Sequence, residues 1–194
     1  MHMLFVAKCA IIIYIKSVIS LERVIKMKMY EIGDVVVFGA EGLCRIEEIT
    51  EKKFGKEKIR YYVLRQLDRE NSVNYVPVNN EKSVSKMREV LTESEIRQII
   101  SEDIPETSGW IENNRERQLA FKEIILYGDS RDLIRLVRDL YIRRKEQAAR
   151  GKKLHAADER IFKDAENIVF EEIAYALKIP RENVMDFISE TAAV

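Results

Sequence analysis

The sequence predicts an α+β protein, a small antiparallel β-module followed by an all-α helical bundle. Three observations predict it. Between residues 29 and 78, short β-rich runs alternate with turn residues and show no helical period. From residue 92 onward, apolar side chains recur at helical spacing behind capping residues. With 46% hydrophobic and 34% charged residues, the 194-residue chain has the composition of a globular rather than a disordered protein. Its length suits one sizeable or two small domains.

Residues 1–28 stand apart. Their apolar blocks, at 3–7, 9–15 and 18–21, are interrupted by Lys8 and Lys16. A bilayer span needs about 20 apolar residues with few charges. The stretch also lacks the charged n-region and A-x-A-like cleavage site of a signal peptide. Met27 and Met29 offer alternative initiation points, so the segment reads as a spurious extension from an early start codon. A membrane anchor is the rival reading, and the intact mass of the native protein separates the two.

The module spans residues 29–80. Residues 34–38, DVVVF, form a strand; Gly39, Ala40, Glu41 and Gly42 form a turn; residues 43–50 resume the extended pattern. Residues 51–58, EKKFGKEK, read as a charged loop. Strands follow at 59–67 and 72–78, with Pro77 marking an edge or a strand end. Four or five short strands joined by tight turns suggest a curled barrel of the SH3 or Tudor type. Its exposed edge is a natural site for pairing with a partner's strand. Residues 81–91 are polar and read as a linker.

The helical domain covers residues 92–194. Thr92, Glu93, Ser94 and Glu95 form a capping box, with Ile96, Ile99 and Ile100 on one face of a short helix. Pro105 and Gly109 break that helix ahead of Trp110, the only tryptophan. Residues 112–118, ENNRERQ, contain no apolar side chain. An apolar stripe of Leu119, Ala120, Ile124 and Tyr127 then begins, with Phe121 and Ile125 beside it. Gly128 fits the helix C′ position and Asp129 the next N-cap. Leu133, Ile134, Val137, Leu140 and Tyr141 form the following stripe. A later helix, starting near His155, buries Ile161, Phe162, Ala165, Ile168, Val169, Ile173 and Ala176. Pro180 opens the last helix, with Val184, Phe187 and Ile188 inward. Such helices make a compact bundle.

Charge is unevenly spread beneath a net of zero. Residues 110–153 hold 12 Lys/Arg against 7 Asp/Glu, a net of +5, while residues 154–194 carry a net of −5. The basic segment is the one that contains Trp110, and a local basic surface can bind phosphate on a neutral molecule. Trp110 borders a polar run, which suits an interface. The competing reading, which residue physics favours, is that it caps a cluster of distant apolar side chains, because Trp is mostly buried on average.

Catalytic chemistry has little support. Cys9 and Cys44 are far apart and form no CxxC, which disfavours a disulfide framework or zinc site and fits a reducing cytoplasm. His2 and His155 are too isolated for metal ligation or a nucleophile–base pair. Asp158, Glu159, Glu171 and Glu172 read as solvated helix charges rather than a converging acid/base set. No glycine-rich phosphate loop or nucleophile elbow is present. Neither a cofactor nor a small-molecule substrate is expected.

With these residues in hand, the chain resembles the CarD family of bacterial transcription regulators. The matching positions in the module are Ile32, Gly33, Asp34, Val36, Val37 and Phe38, the Gly42 turn, Tyr62-Val63-Leu64 and Val76-Pro77-Val78. In the helical part they are Trp110, Arg138-Asp139-Leu140-Tyr141, Leu154 with Glu159, and Glu172-Ile173-Ala174. The resemblance runs from about Met29 to Leu177. It implies a non-enzymatic protein whose Tudor-like module docks on the RNA polymerase β subunit, partly by strand-edge pairing. It also implies that the helical domain meets promoter DNA at the upstream edge of the transcription bubble, largely without reading sequence. There the family tryptophan, here Trp110, wedges into the minor groove, which turns its reading from packing to function.

Arg115 lies where the family carries a basic DNA contact. Helix facing adds Asn113, Asn114, Arg117 and Lys122. On the polymerase side the expected residues are Lys52, at a basic docking position, with Tyr62 and Tyr75. The sequence departs from the family at two places. The family turn often reads Pro-x-His-Gly where this chain has Gly39-Ala40-Glu41-Gly42, and Tyr75 stands where some relatives place an Arg. The rival function is a protein–protein adaptor that uses Trp110 as an interface hot spot without DNA.

Overall fold

β-branched residues at 35–37 start the first strand of a five-stranded antiparallel sheet. The computed structural model describes residues 29–54, 57–69, 72–102 and 110–192. The reading of residues 1–28, and the helix break at Pro105 and Gly109, fall outside them. The strands are β1 (Val35–Phe38), β2 (Leu43–Phe54), β3 (Glu57–Gln66), β4 (Val73–Pro77) and β5 (Met87–Glu89). Their order is β4-β3-β2-β1-β5, so β4 and β5 are the edges. Helices α1 (Glu81–Val84), α2 (Glu93–Ser101), α3 (Asn114–Tyr127), α4 (Ser130–Ala149), α5 (Ala156–Leu177) and α6 (Val184–Ala192) complete the described chain. The α+β class read from sequence is the class observed.

Two boundaries and one helix face differ from the sequence reading. Residues 51–54 and 57–58, read as part of a charged loop, are strand: β2 and β3 stay paired out to Phe54 opposite Glu57. Beyond the reach of β1 and β4 this is a bare two-stranded ribbon. Both its faces meet water, so charged residues fill it and no apolar alternation marks it. Residues 81–91, read as linker, hold α1 and β5, and β5 pairs with β1 through Val36 opposite Glu89. A three-residue strand is too short for a periodic signal. In α3 the stripe is rotated: Leu119 is 60% exposed, while Arg117 and Ile125 are buried.

The Gly39–Gly42 turn is a short 3-10 segment, and Gly42 ends it with φ +72°. A Cβ there would be strained and would sit 3.0 Å from Glu171 Oε2. Gly128 is not the left-handed C′ glycine: its φ is −67°. Close approach explains it instead, since a Cβ would lie 2.5 Å from the Ile124 carbonyl oxygen. The Thr92–Glu95 capping box forms as read, and Asp129 caps α4 by accepting from the Asp132 N–H.

From Ile32 onward the chain is one compact unit; Met29–Glu31 belong to the preceding one. Successive strand residues face opposite sides of a sheet, and both Val36 and Val37 are buried. Val37 joins Leu43 in the same core as Ile96, Leu133, Leu140 and Phe162. Sheet and helices therefore share one apolar interior. Helix α5 runs through it, burying Ile161, Phe162, Ala165, Ile168, Val169 and Ile173 as its stripe predicts. No helix among the described residues is long and apolar enough to cross a membrane.

Candidate nucleic-acid interface

The neighbourhood of Trp110 is built by helix α5 reaching across to α3. Asp158, in the first turn of α5, is fully buried. Its carboxylate accepts from Arg117 Nη2 at 2.7 Å and Nε at 3.3 Å. Arg117 also donates through Nη1 to the carbonyls of Ile111, 2.7 Å, and Glu112, 3.2 Å, and through Nη2 to Asn114 Oδ1 at 2.7 Å. One buried guanidinium thus pins the backbone just after Trp110 to the rest of the bundle.

The indole is half-buried against the core. Phe121 meets it edge-on, with centroids 6.2 Å apart at 65°. Two guanidiniums lie over its ring, Arg117 at 4.5 Å and Arg143 at 4.8 Å from the centroid. Trp110 is therefore both packed and partly open, which joins the two readings that the sequence left apart.

The remaining DNA candidates separate by helix face. Arg117 is corrected from a DNA contact to a structural anchor: it is 3% exposed and its donors are committed. Asn113 caps α3, its Oδ1 accepting from the N–H groups of Arg115 and Glu116. Asn114 supports Arg117. Arg115 and Lys122 are exposed and, seven residues apart, share one stripe about 140° round the helix from Arg117's for Lys122. Lys122 also lines a cleft of about 900 Å³ between the Glu41–Gly42 and Gln66–Arg69 corners of the sheet and helices α3 and α5. Charges of both signs line that cleft, including Asp68, Glu171 and Arg160.

On the module, Tyr62 is corrected from a polymerase contact to a core residue, 3% exposed and paired with Val76 inside the sheet. Alternation hides one tyrosine of the Tyr61-Tyr62 pair. Tyr75 is 49% exposed on edge strand β4. The Lys52 ammonium sits 3.4 Å from its ring centroid, and Tyr61 meets it edge-on at 6.3 Å. Hydrogen bonds pair Ser72 with Gln66 and Val78 with Arg60, so even-numbered residues of β4 face β3. The N–H and C=O groups of Val73 and Tyr75 therefore point to the open edge.

Three positions that build this neighbourhood or tie it to the sheet escaped the sequence reading. Asp158 and Glu172 are 0% and 2% exposed, not solvated charges. Both continue the α5 apolar stripe at helical spacing, and that was the available signal. Glu172 accepts from Arg88 of β5 at 3.0 Å, from the Leu91 N–H at 3.1 Å and from Ser130 Oγ at 2.8 Å. Burial first of all pushes its carboxyl above the usual carboxylate range, against the opposing pull of Arg88, Ser130 and Leu91. Arg143 similarly extends the Leu133, Leu136, Leu140 stripe of α4 by three residues, which brings it over Trp110.

The described residues offer little reactive chemistry. Burial, and then Glu41, Asp68 and Glu171, push the Cys44 thiol up to about 12, so it holds its proton. No group of three or more His, Cys, Asp or Glu among the described residues could hold a metal ion.

Comparisons with known proteins agree with this layout. Residues 30–90 match the CarD-like/TRCF RID domain, and residues 95–189 match the CarD C-terminal domain. The first match takes in β5, so the short strand belongs with the module. The chain is 25% identical over 162 residues to "Putative transcription factor YdeB" of Bacillus subtilis (strain 168), covering 82% of this chain and 99% of that protein. Two matching domains in order span most of the described chain, and with the sheet and bundle they define it: the chain belongs to the CarD-like family and is a transcription-related regulator.

Proposed function

We propose that this protein tethers itself to the RNA polymerase β subunit through its sheet and holds promoter DNA open through its helical domain. Trp110 is the wedge at the upstream edge of the bubble. Arg115 and Lys122 supply sequence-independent phosphate contacts, and Asn113 and Asn114 shape the α3 N-terminus beside them. The observation that carries the reading is the mounting of Trp110: a partly open indole on a backbone fixed by the buried Arg117–Asp158 pair. A wedge needs such rigidity, because it stabilises melted DNA only as far as it binds the open state better than the closed.

Open-complex lifetime with cognate polymerase tests this. Wild type lengthens it; Trp110→Ala loses the base–aromatic stacking, about 1–3 kcal/mol or roughly 5- to 150-fold in lifetime, yet still binds polymerase. A wild-type protein with no effect on lifetime would sink the proposal and move the adaptor reading ahead.

The tether is the β4 edge, with Tyr75 and Lys52 beside it. Tyr75→Pro removes an outward N–H and an exposed ring while leaving the ladder to β3 in place. Its expected result is weaker binding to the β subunit, by roughly tenfold for one lost hydrogen bond with its contact, at unchanged fork-DNA affinity. Unchanged β-subunit affinity would take the docking surface off this edge.

A further inference from the structure

A base that stacks on Trp110 needs a ring face, and a guanidinium already lying there has to leave first. Two do so, those of Arg117 and Arg143. Arg117 is not free to go: it is 3% exposed, paired with Asp158 and bonded to the carbonyls of Ile111 and Glu112. Arg143 is held far more loosely. Its side chain is 26% exposed, and its ion pair with Glu146, at 3.1 Å, lies at the surface with the glutamate 46% exposed. Such pairs exchange readily with other partners.

We propose that Arg143 covers Trp110 in the free protein and hands the ring over to DNA, its guanidinium moving onto a phosphate as a base at the fork stacks on the indole. The inference rests on the fork reading and adds how the wedge becomes available. A guanidinium on α4 can trade its single Nη1 contact with the Glu146 carboxylate for a two-pronged N–H grip on a phosphate. The cation leaves the π-face at the moment an aromatic base replaces it, so neither the ring nor the charge is left bare. Arg143 is in this sense a positioning residue: it sets when the ring is open and which phosphate is gripped beside it.

Trp110 is the only tryptophan, so the intrinsic fluorescence of the full chain reports this ring alone. The experiment measures acrylamide quenching of the free protein for wild type, Arg143→Ala and Arg143→Lys. It then measures affinity for a forked duplex with single-stranded arms across a salt series. Both variants are expected to raise quenching in the free protein, roughly twofold, since one of two cations over the ring is lost or reduced to a compact ammonium. Arg143→Lys keeps its charge and the wild-type salt slope; Arg143→Ala lowers that slope by about 1, the signature of one missing phosphate contact.

A merely structural role for Arg143 would move thermal stability but not the salt slope. Unchanged quenching in both variants overturns the cover. Raised quenching with an unchanged slope in Arg143→Ala overturns the hand-over. Wild-type fluorescence that does not respond to forked DNA overturns the fork reading and the hand-over with it, while quenching in the free protein still judges the cover separately.

Discussion

Asp158→Ala is expected to cost about 3–5 kcal/mol of stability, the range for removing one partner of a buried ion pair. The reason lies in what remains. The variant leaves a guanidinium inside the bundle with its 2.7 Å partner gone. The guanidinium must then find water or swing outward, and it holds the Ile111 and Glu112 carbonyls as it does so. Loss of stability should therefore come with a shift in Trp110 emission before global unfolding. The double variant Arg117→Met with Asp158→Leu removes both charges at similar volume and should recover most of the loss. Denaturant unfolding followed by Trp110 fluorescence and by circular dichroism checks both parts. Equal destabilisation of single and double variants would mean that the charges are not what the site depends on.

Arg88→Met should have an effect of the same order, about 3–5 kcal/mol, but only where Glu172 is ionised. Burial already holds the Glu172 carboxyl above its ordinary value, and Arg88 is the first influence pulling it down. Without Arg88 it rises further. A carboxyl whose folded-state pKa is raised contributes most below its unfolded value, near 4.5, and loses that contribution as pH climbs through the folded pKa. The variant is thus expected to approach wild type near pH 5 and to fall behind it progressively towards pH 8. A loss independent of pH over that window would show that Glu172 is not the group that titrates. The same pair joins β5 to α5, so the destabilised state should also loosen the module from the helices.

Much of the architecture was legible because its signals are local. The Thr92 capping box, the Asp129 cap and the α5 stripe each depend on side chains within a few turns, and each formed where it was read. What failed depends on tertiary context. Whether residues 51–54 and 57–58 form ribbon or loop is decided by pairing across the hairpin, not by their own charged side chains. β5 is a strand only because β1 offers it an edge. Arg117 was assigned to DNA because a polar run at a helix start reads as solvated, yet it is buried. Its partner Asp158 lies 41 residues away, beyond any local pattern. Tyr62 failed for a simpler reason: in a curled sheet both faces of a strand can be covered, so alternation alone does not say which tyrosine is outside.

Helix α5 carries a buried carboxylate near each end, and the two grip different parts of the molecule. Asp158 holds the segment that presents Trp110, and Glu172 holds the sheet through Arg88. Fourteen residues of helix separate them, about 21 Å at 1.5 Å per residue. Because helices barely stretch, α5 behaves as a caliper whose jaws are the β5 edge of the sheet and the segment after Trp110. With the sheet as the proposed tether and Trp110 as the proposed wedge, that fixed length would set how far from the polymerase the DNA is held open.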